Sequence, residues 1–192
     1  MDIVFQTSNP ALDVYKPGLE KALRLMVDTY SGTLALRNLR MIIVADDFAQ
    51  SIEDFEEQHG LRKNGFTNDA IFGRAFAKVM SCGPSLGAPD RAIIIDAVLA
   101  LSLFSSEGQD FAINAFHREL CHVHDEGIKA RVFAVDSRSG PATDLKHMLQ
   151  ISADTVWSEY VAYRLSAATI PDGSDLFVPS FIEVLPKARS QP

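Results

Sequence analysis

Two side chains that could share one piece of chemistry stand three residues apart within residues 116–126, which read FHRELCHVHDE. The spacing of Glu119 and His122 is Glu-x-x-His, which places both side chains on adjoining turns of one helix. In helices that read His-Glu-x-x-His, two histidines hold Zn²⁺ and the glutamate activates the metal-bound water. Glu119 is therefore the candidate general base and His122 a candidate ligand, while Arg118 occupies the position of the first histidine.

The neighbouring histidines do not replace the missing ligand on an unbroken helix. Successive residues turn by about 100°, so His117 points about 140° and His124 about 160° away from His122. Arg118 points about 40° from His122, but its guanidinium group stays protonated and does not bind metal ions. We interpret His117 and His124 as hydrogen-bonded structural residues. Asp125, three residues after His122, is a further candidate ligand, or a group that supports one.

A second helix is predicted over Ser152–Thr169, and it carries a candidate distant ligand. Glu159 lies on the apolar stripe of this helix. A carboxylate among apolar residues is unfavourable unless it is paired or binds a metal ion, which indicates a partner for Glu159. Trp157 precedes Glu159 in the sequence and Tyr160 follows it, and we interpret both as packing residues.

Apolar periodicity and turn residues predict the elements that position these side chains. The predicted strands are Leu39–Ala45, Ile71–Met80 and Arg91–Ala97, and the predicted helices are Pro17–Tyr30, Phe48–His59, Ser106–Glu126 and Ser152–Thr169. Gly127 is expected to end the Ser106–Glu126 helix. This order predicts an α+β fold. We expect one domain over residues 1–192, with residues 186–192 as a flexible tail and the two long helices facing each other across a shallow cleft.

Composition narrows the classes of function. Hydrophobic residues make up 47% of the chain and charged residues 22%, as in ordinary globular proteins. The net charge of −7, without basic clusters, argues against nucleic-acid binding. No apolar run is long enough to predict a membrane span and no secretory signal is recognisable, so we expect a cytoplasmic protein with Cys82 and Cys121 as free thiols.

Three segments carry a resemblance to a known family. RELCHVHD at 118–125 and WSEYVAYRLSA at 157–167, preceded by the strand-like RAIIID at 91–96, resemble the zincin-like metallopeptidase superfamily. They are most similar to its small bacterial or phage members with a glutamate as third ligand, akin to the type that cleaves phage repressors. The resemblance implies a small, mostly antiparallel sheet packed against an active-site helix and a second, ligand-bearing helix.

The resemblance also implies roles for individual residues. Glu119 would be the general base, His122 and Glu159 would bind zinc, and the substrate or partner would be a peptide or protein. Arg118 departs from the motif and leaves alternatives open. Either His122, Glu159 and Asp125, or a partner chain, complete a working zinc site, or Arg118 replaces the ion in an inactive pseudopeptidase with a regulatory or partner-binding role. Arg118 could also be a sporadic or engineered change in an active peptidase. In a structural or partner-binding protein outside this superfamily, Glu159 would be exposed and far from His122.

Overall fold

Four strands form the central sheet in the computed structural model, which describes residues 1–61, 68–69, 73–82, 90–132 and 145–169. They are β1 (Asp2–Gln6), β2 (Leu39–Ala45), β5 (Ala77–Ser81) and β6 (Arg91–Asp96), and a separate antiparallel pair consists of β3 (Asn68–Asp69) and β4 (Gly73–Arg74). The tail predicted at 186–192 lies outside the described residues.

The four-stranded sheet is mixed, with strand order β1-β2-β6-β5. The pairs β1–β2 and β2–β6 are parallel, and only the edge pair β5–β6 is antiparallel. The chain therefore has an α+β fold, but the expectation of a mostly antiparallel sheet was wrong. The reason is that a helix, Lys16–Ser31, links β1 to β2, and such a crossover returns the chain to run in the same direction.

The helices among the described residues surround this sheet. They are α1 (Pro10–Asp13), α2 (Lys16–Ser31), α3 (Phe48–Gln58), α4 (Ala97–Ser102), α5 (Gln109–Val132) and α6 (Leu145–Ser166), followed by a 3₁₀ turn at Ala167–Thr169. The predictions for α2, α3 and β2 are confirmed to within a residue or so. None of the helices in the described ranges is long and apolar enough to cross a lipid bilayer.

Helix α5 continues well beyond its predicted end. Gly127 lies inside the helix and is buried against the side chain of Asn38. One more turn places Lys129 between Asp125 of the same helix and Asp154 of α6, at 2.8 and 2.9 Å. These tertiary contacts outweigh the modest helix-breaking tendency of glycine.

The remaining strands differ from the sequence-based expectations in two ways. The predicted strand Ile71–Met80 is replaced by the short β4 and by β5, which begins at Ala77. Strand β1 was not predicted, because only Ile3 and Phe5 of its five residues point towards the interior. A five-residue edge strand provides too short an alternation to stand out in the sequence.

The sheet separates two apolar layers, because side chains alternate between its faces. Ile42 and Val44 of β2 pack with α2 and α5 on one face, whereas Ile43 packs with α3 on the other. Both central strands are buried, and each fully buried isoleucine contributes roughly 1.5–3 kcal/mol to stability. This core fixes α5, and α5 in turn carries the candidate site.

Candidate functional site

The candidate site lies where α5 and α6 pack against each other. The two helices run antiparallel. Asn114 near the start of α5 bonds to Ser166 at the end of α6, whereas Lys129 near the end of α5 bonds to Asp154 in the first half of α6. They are in direct contact rather than separated by the cleft that we expected. One face of α5 is apolar, with the following residues buried in the core: Phe116, Leu120 and Val123.

Arg118 and Glu159 form the contact at the centre of the site. The Nη2 atom of Arg118 donates a hydrogen bond to Oε2 of Glu159. The side chains are 35% and 49% exposed, so solvent screens this ion pair in part. Arg118 stands where the zinc motif has its first histidine, and its guanidinium therefore brings a positive charge to the position expected for a metal ligand.

His122 lies beside the same carboxylate. Its Nε2 atom is 3.8 Å from Oε1 of Glu159, and its Nδ1 atom is 3.2 Å from the hydroxyl oxygen of Ser158. Burial lowers the pKa of His122 and the charge of Arg118 lowers it further, whereas Glu159 acts in the opposite direction. The neutral imidazole is therefore favoured, with Ser158 at one nitrogen and Glu159 near the other.

Glu119 points towards the edge of the sheet. The backbone N–H of Val79 on β5 donates a hydrogen bond to its carboxylate. Burial raises the pKa of Glu119 to about 7, and the negative charge of Glu159 adds to that rise, whereas Arg118 and the hydrogen bond from Val79 limit it. A carboxyl group with this pKa exchanges its proton near neutral pH, as a general acid or base must.

Asp125 belongs mainly to a neighbouring cluster. Its carboxylate forms an ion pair with Lys129, and both side chains are almost fully buried. Lys129 also pairs with the half-exposed Asp154. Burial by itself would lower the pKa of Lys129, but the hydrogen bonds and charges of the two aspartates raise it. Asp125 still favours protonation of His122 electrostatically, yet its direct partner is Lys129.

The other histidines of α5 are structural, as predicted. His117 is buried, stacks on Tyr30 with ring centroids 3.8 Å apart, and lies 3.3 Å from the hydroxyl of Thr169. His124 accepts a hydrogen bond of 2.7 Å from the backbone N–H of Ala35. Both predicted free thiols are confirmed, and Cys121 is packed in the core.

The reasoning that selected Glu159 was wrong about its burial. Glu159 is half exposed, and so are Trp157 and Tyr160, which we expected to pack inside. The interior face of α6 instead presents small residues to α5, among them Ala162 and Ser166. Of the two features expected for a structural protein outside the superfamily, Glu159 shows the exposure but not the distance, because it lies next to His122.

The described residues supply an incomplete set of ligands for zinc. A catalytic zinc site uses three protein ligands plus water. His122 and Glu159 are close enough to share one ion, but the guanidinium of Arg118 already contacts Glu159. Within the described ranges, no group of three or more His, Cys, Asp and Glu side chains is arranged to hold a metal ion.

Two partners of the site were not identified from the sequence. Ser158 is adjacent to Glu159 in the chain, and its hydroxyl could have been recognised as a possible partner for a histidine on a facing helix. The N–H of Val79 carries no signal in the sequence, because it depends on β5 lying at the sheet edge beside α5. Comparison of the chain with protein-family models, curated proteins and solved structures found no match.

Proposed function

We propose that this protein is a metallopeptidase-like protein with a degenerate metal site, which binds a peptide or protein without hydrolysing it. The observation that carries the proposal is the contact between Arg118 and Glu159. A guanidinium group is a permanent cation that bonds well to carboxylates. Here it supplies the positive charge that a zinc ion would otherwise supply between the two helices.

The surroundings of Arg118 support this proposal. The charge of Arg118 lowers the pKa of both Glu119 and His122, so the cation acts on the candidate base and on the candidate ligand together. Arg118 also bonds directly to Glu159. Three candidate site residues, Glu119, His122 and Glu159, therefore interact with this one arginine. Such a cluster preserves the architecture of a metal site while its charges are balanced internally.

Metal content tests the proposal directly. We expect the purified protein to hold no stoichiometric zinc by elemental analysis after exposure to zinc and desalting. Arg118→His restores His-Glu-x-x-His and should raise zinc affinity at least about tenfold, because it replaces a cation with a ligand. Arg118→Gln is the matched control, since it removes the charge without adding a good ligand.

Peptide hydrolysis separates the proposal from the alternative of an active enzyme. A panel of unstructured protein substrates should remain intact with the unaltered protein. Tightly bound zinc in that protein, together with hydrolysis that a chelator stops and Glu119→Gln abolishes, would overturn the proposal and establish the variant zinc site instead. The Glu119→Gln variant retains a hydrogen-bond acceptor for Val79, and circular dichroism establishes that it is folded.

A further inference from the structure

The outer face of α6, defined by its exposed residues, is an apolar surface. Four of its large residues are between 41% and 68% exposed: Leu149, Val156, Tyr160 and Tyr163. The exposed Ala153 lies between Leu149 and Val156. In chain order the five residues follow one another at intervals of four, three, four and three positions. This is the spacing by which one helix presents a continuous seam to another helix. Contiguous exposed apolar surface of this kind marks an interaction site.

From this seam we infer that α6 is a self-association surface, on which a second copy of this chain docks its own α6 in parallel. An identical helix has the same spacing and length, as the symmetric interface of a homodimer requires.

Charge complementarity selects the parallel orientation. Glu159 and Arg164 flank the seam on opposite sides and are five residues apart, and both are exposed. In a parallel pair of helices, positions with this relationship face each other across the interface. Glu159 of each copy would then meet Arg164 of the other. In an antiparallel pair, each side of the seam faces the same side of the other copy. Glu159 would then lie on the side of Glu159, and Arg164 on the side of Arg164, so neither would meet an opposite charge.

The contact between Glu159 and Arg118 is compatible with this arrangement. A carboxylate can accept several hydrogen bonds, and the side chain of Glu159 is 49% exposed. It can therefore bond to Arg118 within its own chain and to Arg164 of the second copy. The inference does not rest on the proposed function, because it uses the outer face of α6 and requires neither a metal ion nor a substrate.

Sedimentation equilibrium of the full chain across a dilution series tests the inference. We expect the average mass to rise with concentration from 21.1 kDa towards twice that value. Val156→Glu places a charge in the seam and should leave a monomer. Leu25→Glu on α2 changes a residue of similar exposure, 63% against 68%, and should dimerise like the unaltered chain. A chain that stays monomeric at every concentration, or equal behaviour of the two variants, would overturn the inference.

The orientation has its own test. Arg164→Glu should raise the dissociation constant of the dimer about tenfold, because two attractive contacts become repulsive. Adding Glu159→Arg to that variant exchanges the charges and should restore dimerisation. Circular dichroism melting establishes that each variant is folded. If Arg164→Glu dimerises as tightly as the unaltered chain, or the double variant is not restored, the parallel pairing is wrong.

Discussion

Arg118 of α5 and Glu159 of α6 bond to each other across 41 positions of the chain. The same arginine stands where the His-Glu-x-x-His pattern has its first histidine, and the same glutamate lies 3.8 Å from His122. One ion pair therefore occupies the place where two metal ligands were expected to converge. Its removal should change the protonation of the groups around it more than the stability of the fold.

Replacing Arg118 with Met should raise the pKa of both Glu119 and His122. The positive charge of Arg118 lowers each of these pKa values, because it favours the carboxylate and disfavours the imidazolium. NMR titration of the side chains provides the measurement. Arg24→Met, which removes an exposed arginine of α2, serves as the control and should leave both values unchanged. The loss of stability should be about 1 kcal/mol or less, because solvent screens part of the attraction in this ion pair.

Glu119 should make the protein less stable as the pH rises towards neutrality. The pKa of this carboxyl group is about 7 in the folded chain against an ordinary value of 4.5, so the folded state holds its proton more tightly. The free energy of unfolding should therefore decrease between these two pH values and level off above pH 7. The stabilisation of the folded state by the protonated Glu119 is present at low pH and is lost as the pH rises through about 7.

The matched variant for this effect is Glu119→Gln, which retains an acceptor for the N–H of Val79. Urea unfolding of both proteins should give similar stabilities near about pH 3, since this lies well below the ordinary pKa of 4.5 and Glu119 is then largely protonated in both states. Above pH 7 the variant should be more stable by up to about 3 kcal/mol. A difference that is independent of pH would contradict the assigned burial of this carboxyl group.

Lys129 should be among the most sensitive charged positions in the chain. Its side chain is 4% exposed and balances the buried carboxylate of Asp125. Lys129→Met should lower the free energy of unfolding by about 3–5 kcal/mol, because a buried charge loses its partner. Asp154→Asn should cost about 1 kcal/mol or less, since Asp154 is 39% exposed. Chemical denaturation measures both, and equal losses would show that burial does not determine the effect.

Gly127→Ala tests whether α5 continues as described. An added Cβ atom would lie 3.5 Å from the side chain of Asn38, which is an ordinary contact distance. Alanine is the better helix former, so the variant should be more stable by about 0.5–1 kcal/mol. If the helix ended at this residue in a left-handed conformation, alanine would instead destabilise the protein. Thermal unfolding followed by circular dichroism distinguishes the two outcomes.

Local patterns in the sequence determined much of the framework. The bounds of β2 match its prediction, because a β-branched run followed by Asp46 and Asp47 signals a strand and its end. The helical period also identified His117 and His124 of α5 as structural residues. These properties depend on residues only a few positions apart, where chain geometry restricts which side chains share a face.

Only the tertiary structure decided which partners the site residues have. The parallel pairing of the sheet, the extension of α5 past Gly127 and the hydrogen bond from Val79 to Glu119 all depend on contacts between distant segments. The sequence alone identified Arg118 as a departure from a motif and Glu159 as its possible partner. Their contact depends on how α5 and α6 pack against each other, because long-range contacts reflect the packing of the whole core and have no periodic signature in the chain.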